Sequence, residues 1–123
     1  MNKSIVILLF ALTTLTGCTK NEFVFLIERP SDSELSNLPL ILYVDDAKVY
    51  SENLEITNIA SIYNETTVPA SNKSYTLKVE IDGSVIEYPI EYPKDKYIII
   101  SPVYNDGKIL SAILRSDKKF NLQ

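Results

Sequence analysis

The dipeptide Asp82-Gly83 constrains the fold most strongly, because it separates two segments in which apolar and polar residues alternate. Both residues of a two-residue hairpin turn need a positive φ, which Asp-Gly readily accepts. A hairpin over residues 75–90 follows, and its register places Lys78 opposite Glu87 on one side of the ribbon. On the other side apolar residues meet in the pairs Leu77–Tyr88 and Val79–Ile86. The chain is therefore expected to build its fold from antiparallel strands.

Short apolar or alternating runs predict further strands along the chain. These strands cover residues 23–27, 40–44, 47–50, 96–104 and 108–115, with turns at Asp45-Asp46 and Asp106-Gly107. The run 97–100 is apolar throughout, as expected of a central strand that is buried on both faces. Three further segments have other interpretations: 31–38 as a helix of at most two turns, 54–62 as a strand followed by irregular chain, and 66–74 as a loop.

About seven short strands without β-α-β spacing predict an all-β domain. The expected architecture is a seven-stranded antiparallel sandwich of immunoglobulin-like or transthyretin-like character, with a small β-barrel as the alternative. This domain is expected to cover residues 23–115, and residues 116–123 are expected to form a polar C-terminal tail.

The sequence Ile-Glu-Tyr-Pro occurs twice in residues 86–93, within the second arm of the hairpin. Pro89 falls opposite Thr76 at a non-hydrogen-bonded position, so the side of the strand where its N–H is missing points away from the partner strand. Such a proline is typical of an edge strand, where it prevents unwanted pairing. Two readings of this edge stay open. In the first, proline only prevents the edge from pairing with another chain. In the second, the edge binds a partner through Tyr88 and Tyr92.

The N-terminus begins with a short basic segment, continues with the apolar run 5–12 and then with small residues up to Gly17. That order is typical of a secretion signal, and the apolar run is too short to cross a bilayer as a helix, which needs roughly 20 residues. The sequence Leu15-Thr16-Gly17-Cys18, which contains the chain's single cysteine, resembles the lipobox of bacterial lipoproteins. The resemblance implies cleavage between Gly17 and Cys18, so that residues 1–17 are removed and residues 18–22 become a lipidated tether.

The same resemblance implies a diacylglycerol linked to Cys18 through a thioether and an acyl chain on its new N-terminus. Two or more chains hold a protein firmly at a membrane, whereas one chain binds only marginally. Thr19 stands where lipoproteins that are retained in the inner membrane carry Asp. We therefore expect a location in the cell envelope, with the outer membrane favoured over the inner membrane.

The composition argues against several classes of function. The chain has no histidine, and lipidation would occupy its one cysteine, so the commonest general base, thiol nucleophile and zinc ligands are missing. Its three glycines are isolated, and its basic residues form no cluster that could follow a phosphate backbone. Asp45-Asp46 supplies too few oxygen ligands for Ca²⁺ and is read as a turn. No nucleic-acid partner, metal or bound cofactor other than the covalent lipid is expected.

These observations favour a non-enzymatic envelope lipoprotein that binds a protein partner or has a structural accessory role. The alternative is a binding module for a ligand, a glycan or an enzyme to be inhibited. A hydrolase that relies only on carboxylates is the third hypothesis.

Overall fold

The computed structural model describes residues 21–30, 38–55 and 63–121, and every regular element in these ranges is a β-strand. The strands are β1 (Glu22–Glu28), β2 (Leu38–Val44), β3 (Ala47–Leu54), β4 (Tyr63–Pro69), β5 (Ser74–Ile81), β6 (Ser84–Glu91), β7 (Tyr97–Asn105) and β8 (Lys108–Ser116). The predicted signal, Cys18 and residues 56–62 lie outside the described residues. So does the predicted short helix, except for Leu38, which begins β2.

The strands form two four-stranded sheets that pack as a sandwich. Sheet A has the strand order β4-β1-β7-β8, and sheet B has the order β3-β2-β5-β6. The all-β sandwich predicted from the sequence is confirmed, with eight described strands where about seven were expected.

The hairpin around Asp82-Gly83 has the predicted register, from Ser74 opposite Glu91 to Ile81 opposite Ser84. Asp82 and Gly83 have φ values of 48° and 85°, as the turn requires. The other predicted turns, at Asp45-Asp46 and Asp106-Gly107, also have positive φ at both residues. Three of the connections between neighbouring strands could therefore be located from the sequence alone.

Strand β1 differs from the expectation of a wholly antiparallel sandwich, because it pairs parallel with β7. The paired residues run from Val24 opposite Tyr97 to Ile27 opposite Ile100. These strands are far apart in the sequence, so no local turn signal reveals their direction. Pro102 lies in β7 beyond the last pair with β1, where its missing N–H interrupts no ladder.

The loop predicted over residues 66–74 is wrong for its first half, since Tyr63–Pro69 forms strand β4. This strand lies at the edge of sheet A and pairs with β1, from Glu22 opposite Pro69 to Glu28 opposite Tyr63. An edge strand exposes many polar residues, and here Thr66, Thr67 and Pro69 were mistaken for loop residues. Its partner is distant in the sequence, so the pairing itself left no signal.

The core lies between the two sheets and is formed by alternate residues of each strand. The fully buried large side chains are Phe23, Phe25, Ile27, Leu38, Leu40, Leu42, Leu54, Leu77, Ile81, Ile90, Ile98 and Ile100. Phe23 is central, because its ring packs edge-to-face with those of Tyr75 and Tyr92, with centroids 5.4 Å apart in both pairs. Ile98, Ile99 and Ile100 are all buried, which confirms that β7 is a central strand covered on both faces.

Candidate functional site

The outer face of sheet A is apolar across its centre. Residues that alternate with the core point outward, and the strand register aligns Leu26, Ile99 and Leu114 in one row across β1, β7 and β8. Val103 and Leu110 form a second facing pair on β7 and β8. Leu114 is 59 % exposed and Val103 is 41 % exposed. We call these five residues the apolar face.

The C-terminal segment borders this face. Lys119 and Phe120 line a shallow groove together with residues of β1, β4 and β7, namely Val24, Leu26, Glu65 and Tyr97. Phe120 is half-buried, so part of the tail predicted to be polar packs against the sheet. An aromatic residue placed on apolar side chains removes part of their surface from water.

The outer face of sheet B has the opposite character. Its outward residues on β5 and β6 are largely charged and include Lys78, Glu80, Glu87 and Glu91. Lys78 faces Glu87 in the ladder as predicted, but its ammonium is 3.5 Å from a carboxylate oxygen of Asp46. The same ammonium lies 5.3 Å from the centre of the Tyr43 ring. Charged side chains thus surround the single exposed valine among the described residues of this face, Val85, whereas Leu114 and Val103 are exposed together on sheet A.

The four edge strands differ in their protection against pairing with another chain. β3 is irregular, since its ladder with β2 shifts register between Leu42 and Tyr43, and β4 ends in Pro69. β6 contains Pro89, whose carbonyl accepts a hydrogen bond of 2.6 Å from Arg115. β8 has neither proline nor register shift, and its residues 109–114 are uncharged. Regular, uncharged edges of this kind are the ones that recruit further strands.

At both open sides of the sandwich, a hydrogen bond to or from a tyrosine hydroxyl connects sheet A with sheet B. On one side Asn64 of β4 donates to the Tyr50 hydroxyl of β3 at 3.1 Å. Burial raises the pKa of Tyr50, the Asn64 hydrogen bond lowers it in part, and the charge of Glu52 raises it further. On the other side the Tyr88 hydroxyl of β6 donates to the Ser111 carbonyl of β8 at 3.0 Å.

Asp95 joins sheet B to sheet A beside β6. It is the one buried charged residue in the described part of the chain, and its Oδ2 accepts a 2.9 Å hydrogen bond from the N–H of Glu91. Nη1 of Arg115 lies 3.7 Å from the same oxygen. Together with the contact of Arg115 to Pro89, this arrangement occupies backbone groups on the free side of β6 and explains why that edge is closed.

The structure places the candidate edge residue Tyr88 on the inner side of β6 and Tyr92 in the turn that directly follows this strand. Both are half-buried and pack against the core, Tyr88 with its hydroxyl on β8 and Tyr92 with its ring on Phe23. β6 is an edge strand, as Pro89 predicted. A partner at this edge would meet Glu87 and Pro89 before either tyrosine ring. The lipidation residue Cys18 and its neighbour Gly17 lie outside the described residues.

A second depression lies between β3 and β4 and is polar. It is lined by Arg29, Tyr50, Glu52, Asn53, Glu55, Tyr63, Asn64 and Glu65. Arg29 is 3.6 Å from the Glu55 carboxylate. No group of three metal-ligating side chains occurs among the residues that the structure describes, and none of their elements is a helix that could span a membrane.

Sequence reasoning missed the apolar face. Its signal was the alternation Leu110, Ala112, Leu114 in β8, which is visible in the sequence but reads as an ordinary strand until the buried face is known. No protein-family model, curated protein or solved structure matches the chain.

Proposed function

We propose that this protein is a non-enzymatic lipoprotein of the bacterial cell envelope, held at a membrane through Cys18, that binds a protein partner through the apolar face of sheet A. The anchor rests on the lipobox-like sequence Leu15-Thr16-Gly17-Cys18 behind a secretion signal. The outer membrane is the favoured location, because Thr19 rather than Asp follows the cysteine.

The contrast between the two outer faces carries the binding proposal. Leu114 and Val103 are both exposed on the outer face of sheet A, whereas the exposed Val85 of sheet B lies alone beside Glu80 and Glu87. Contiguous apolar surface on a small domain is typical of protein–protein contact sites. The partner is therefore expected to present an apolar surface of its own, rimmed by polar groups.

The proposed anchor would fix how the domain stands on the membrane. Thr19, Lys20 and Asn21 alone separate Cys18 from the start of β1 at Glu22. A fully extended chain spans at most about 3.6 Å per residue, so the start of β1 would lie within about 14 Å of the lipid-bearing residue. The apolar face, which includes Leu26 of β1, would then be close to the membrane surface and accessible to other envelope proteins.

The binding proposal is tested by placing a charge on the apolar face and asking whether an envelope partner is lost. Leu114→Lys in the full-length protein should abolish the recovery of a stoichiometric partner from crosslinked envelopes. Val85→Lys is the matched control, because Val85 is 50 % exposed, on an edge strand, and lies on the outer face of sheet B. Equal partner recovery by both variants, or recovery of no partner by the wild-type protein, would contradict the proposal.

The depression between β3 and β4 favours a second candidate function, the binding of a glycan or other small polar ligand. Tyrosine rings beside carboxylate and amide groups suit a sugar, which offers an apolar ring face and several hydroxyls. Glu52→Ala with Tyr63→Ala would abolish ligand binding in this case and leave partner recovery unchanged. The two functions are thus distinguished by which variant loses binding: Leu114→Lys if the apolar face binds a protein, and Glu52→Ala with Tyr63→Ala if the depression binds a ligand.

A further inference from the structure

The edge of β8 that points away from β7 is paired with no other strand among the described residues, and its Ser111 carbonyl accepts a hydrogen bond from the Tyr88 hydroxyl. The two-residue turn at Asp106-Gly107 makes Asn105 and Lys108 a hydrogen-bonded pair, after which hydrogen-bonded and non-hydrogen-bonded pairs alternate. The residues whose N–H and C=O groups consequently point away from β7 are Ile109, Ser111, Ile113 and Arg115. The Tyr88 hydroxyl reaches the Ser111 carbonyl from sheet B, in agreement with this assignment.

We infer that β8 pairs antiparallel with β8 of a second copy of this chain, joining the two sheets A into one eight-stranded sheet. The inference goes beyond the proposed function, because it concerns the edge of β8, which borders the apolar face and leaves it accessible. It rests on the side-chain pattern of β8: when two copies of the strand are aligned antiparallel over their full length, apolar residues of one copy face apolar residues of the other.

In the full-overlap register the two-fold axis passes through Ala112, which faces its own copy. Each Leu110 then faces Leu114 of the second copy, so apolar residues meet across the new ladder. All four edge-directed residues find backbone partners, because Ile109 pairs with Arg115 and Ser111 pairs with Ile113 of the other copy.

Charges at the ends of the strand agree with the same register. Within β8 only Lys108 and Arg115 are charged, and Arg115 falls opposite the apolar Ile109. Lys108 falls opposite the uncharged Ser116. A shift by two residues in either direction would place Leu110 opposite Ala112 or Ser116, so that the leucines would no longer face each other.

Pairing would also enlarge the apolar face. The row Leu26, Ile99, Leu114 would continue into Leu110 and Val103 of the second copy, because these two residues already face each other within one chain. The antiparallel arrangement puts the two tethers at opposite ends of the joined sheet. Both anchors can reach one membrane when the strands run along its surface.

The register is tested by cysteine crosslinking of the full-length protein in its own membrane. Ala112 is exposed and occupies a non-hydrogen-bonded position, where facing Cα atoms are about 4.5 Å apart, within reach of a disulfide. Ala112→Cys should form a disulfide-linked dimer under mild oxidation. Thr67→Cys is the matched control, because Thr67 is exposed on the outer face of β4, at the opposite edge of the same sheet.

A dimer yield at least about tenfold higher for Ala112→Cys than for Thr67→Cys is expected from this difference in distance. Leu114→Cys alone should crosslink poorly, because each Leu114 faces Leu110 rather than its own copy. Equal yields at the three positions, or a maximum at Leu114, would overturn the inference. Wild-type protein treated in the same way reports whether Cys18 is a free thiol, which separates a failure of the anchor from a failure of the dimer.

A like-charge substitution gives a second readout. Ala112→Lys would place two ammonium groups directly opposite each other at the axis and should shift the detergent-solubilised protein from dimer to monomer in analytical ultracentrifugation. Thr67→Lys should leave the dimer intact. A wild-type protein that is monomeric in the same measurement would also overturn the inference, whereas recovery of a different envelope partner by that monomer would leave the proposed function standing.

Discussion

Tyr50 illustrates how single polar groups hold the two sheets together. Its hydroxyl accepts a hydrogen bond from Asn64 across the open side between β3 and β4, and Tyr88 makes the equivalent contact with Ser111 on the other side. A hydroxyl at the rim of the core needs a hydrogen-bond partner, and in both tyrosines a group on the facing strand supplies it. Two of the eight tyrosines, Tyr50 and Tyr88, therefore connect the sheets, which their spacing in the sequence did not reveal.

The environment of the Tyr50 hydroxyl predicts that the free energy of unfolding depends on pH. Burial raises the pKa of this phenol above its ordinary value of 10.0, and Glu52 raises it further. The folded state therefore holds the phenol proton more tightly than the unfolded state. The resulting contribution of Tyr50 to the free energy of unfolding is fully present below pH 10 and is lost as the pH rises through the raised pKa.

Tyr50→Phe should therefore lower the free energy of unfolding at pH 7 by about 0.5–1.5 kcal/mol, through loss of the hydrogen bond to Asn64. The difference between wild type and variant should shrink when urea unfolding is repeated at pH 11. A difference that is the same or larger at pH 11 would contradict the assigned environment of Tyr50.

The individual strands show which parts of the fold the sequence could predict. The β5–β6 hairpin was predicted with its register, because Asp82-Gly83 defines the turn and the side chains agree on both faces. β4 and the parallel pairing of β1 with β7 were not predicted, since both depend on contacts between residues far apart in the sequence. The edge position of β6 followed from Pro89, whereas the binding surface on sheet A required the three-dimensional arrangement of strands.

The turn at Asp82-Gly83 predicts how substitutions of Gly83 change the stability of the domain. Gly83 has a φ of 85°, and a Cβ added there would meet nothing within 4 Å, so any cost of substitution arises from the backbone alone. Gly83→Ala should destabilise the domain by about 1–2 kcal/mol in urea unfolding, the cost of a left-handed conformation for a residue with a side chain.

Gly83→Asn is the informative companion, because asparagine accepts a positive φ more readily than alanine. It should be clearly more stable than Gly83→Ala although its side chain is larger. The reverse order would show that crowding rather than backbone conformation governs this turn.

At the scale of the whole molecule, the features combine into a domain with two different outer faces and a short proposed link to a membrane. Sheet B carries charged side chains around the exposed Val85, whereas sheet A exposes Leu114 and Val103 beside the buried Ile99 and ends on β8, an edge strand without proline or register shift. Among the described residues no cluster of metal-ligating side chains accompanies these surfaces. The exposed apolar residues of sheet A are the observation on which the proposed binding of a protein partner rests.

The anchor at Cys18 is the central claim, because it determines where the binding surface operates. Metabolic labelling with a fatty acid, followed by membrane fractionation, tests it directly on the wild-type protein and the Cys18→Ser variant. The wild type should carry the label and sediment with membranes, and Cys18→Ser should be unlabelled and remain an uncleaved or soluble precursor. A Cys18→Ser protein that is processed and fractionates with membranes like the wild type would contradict the claim.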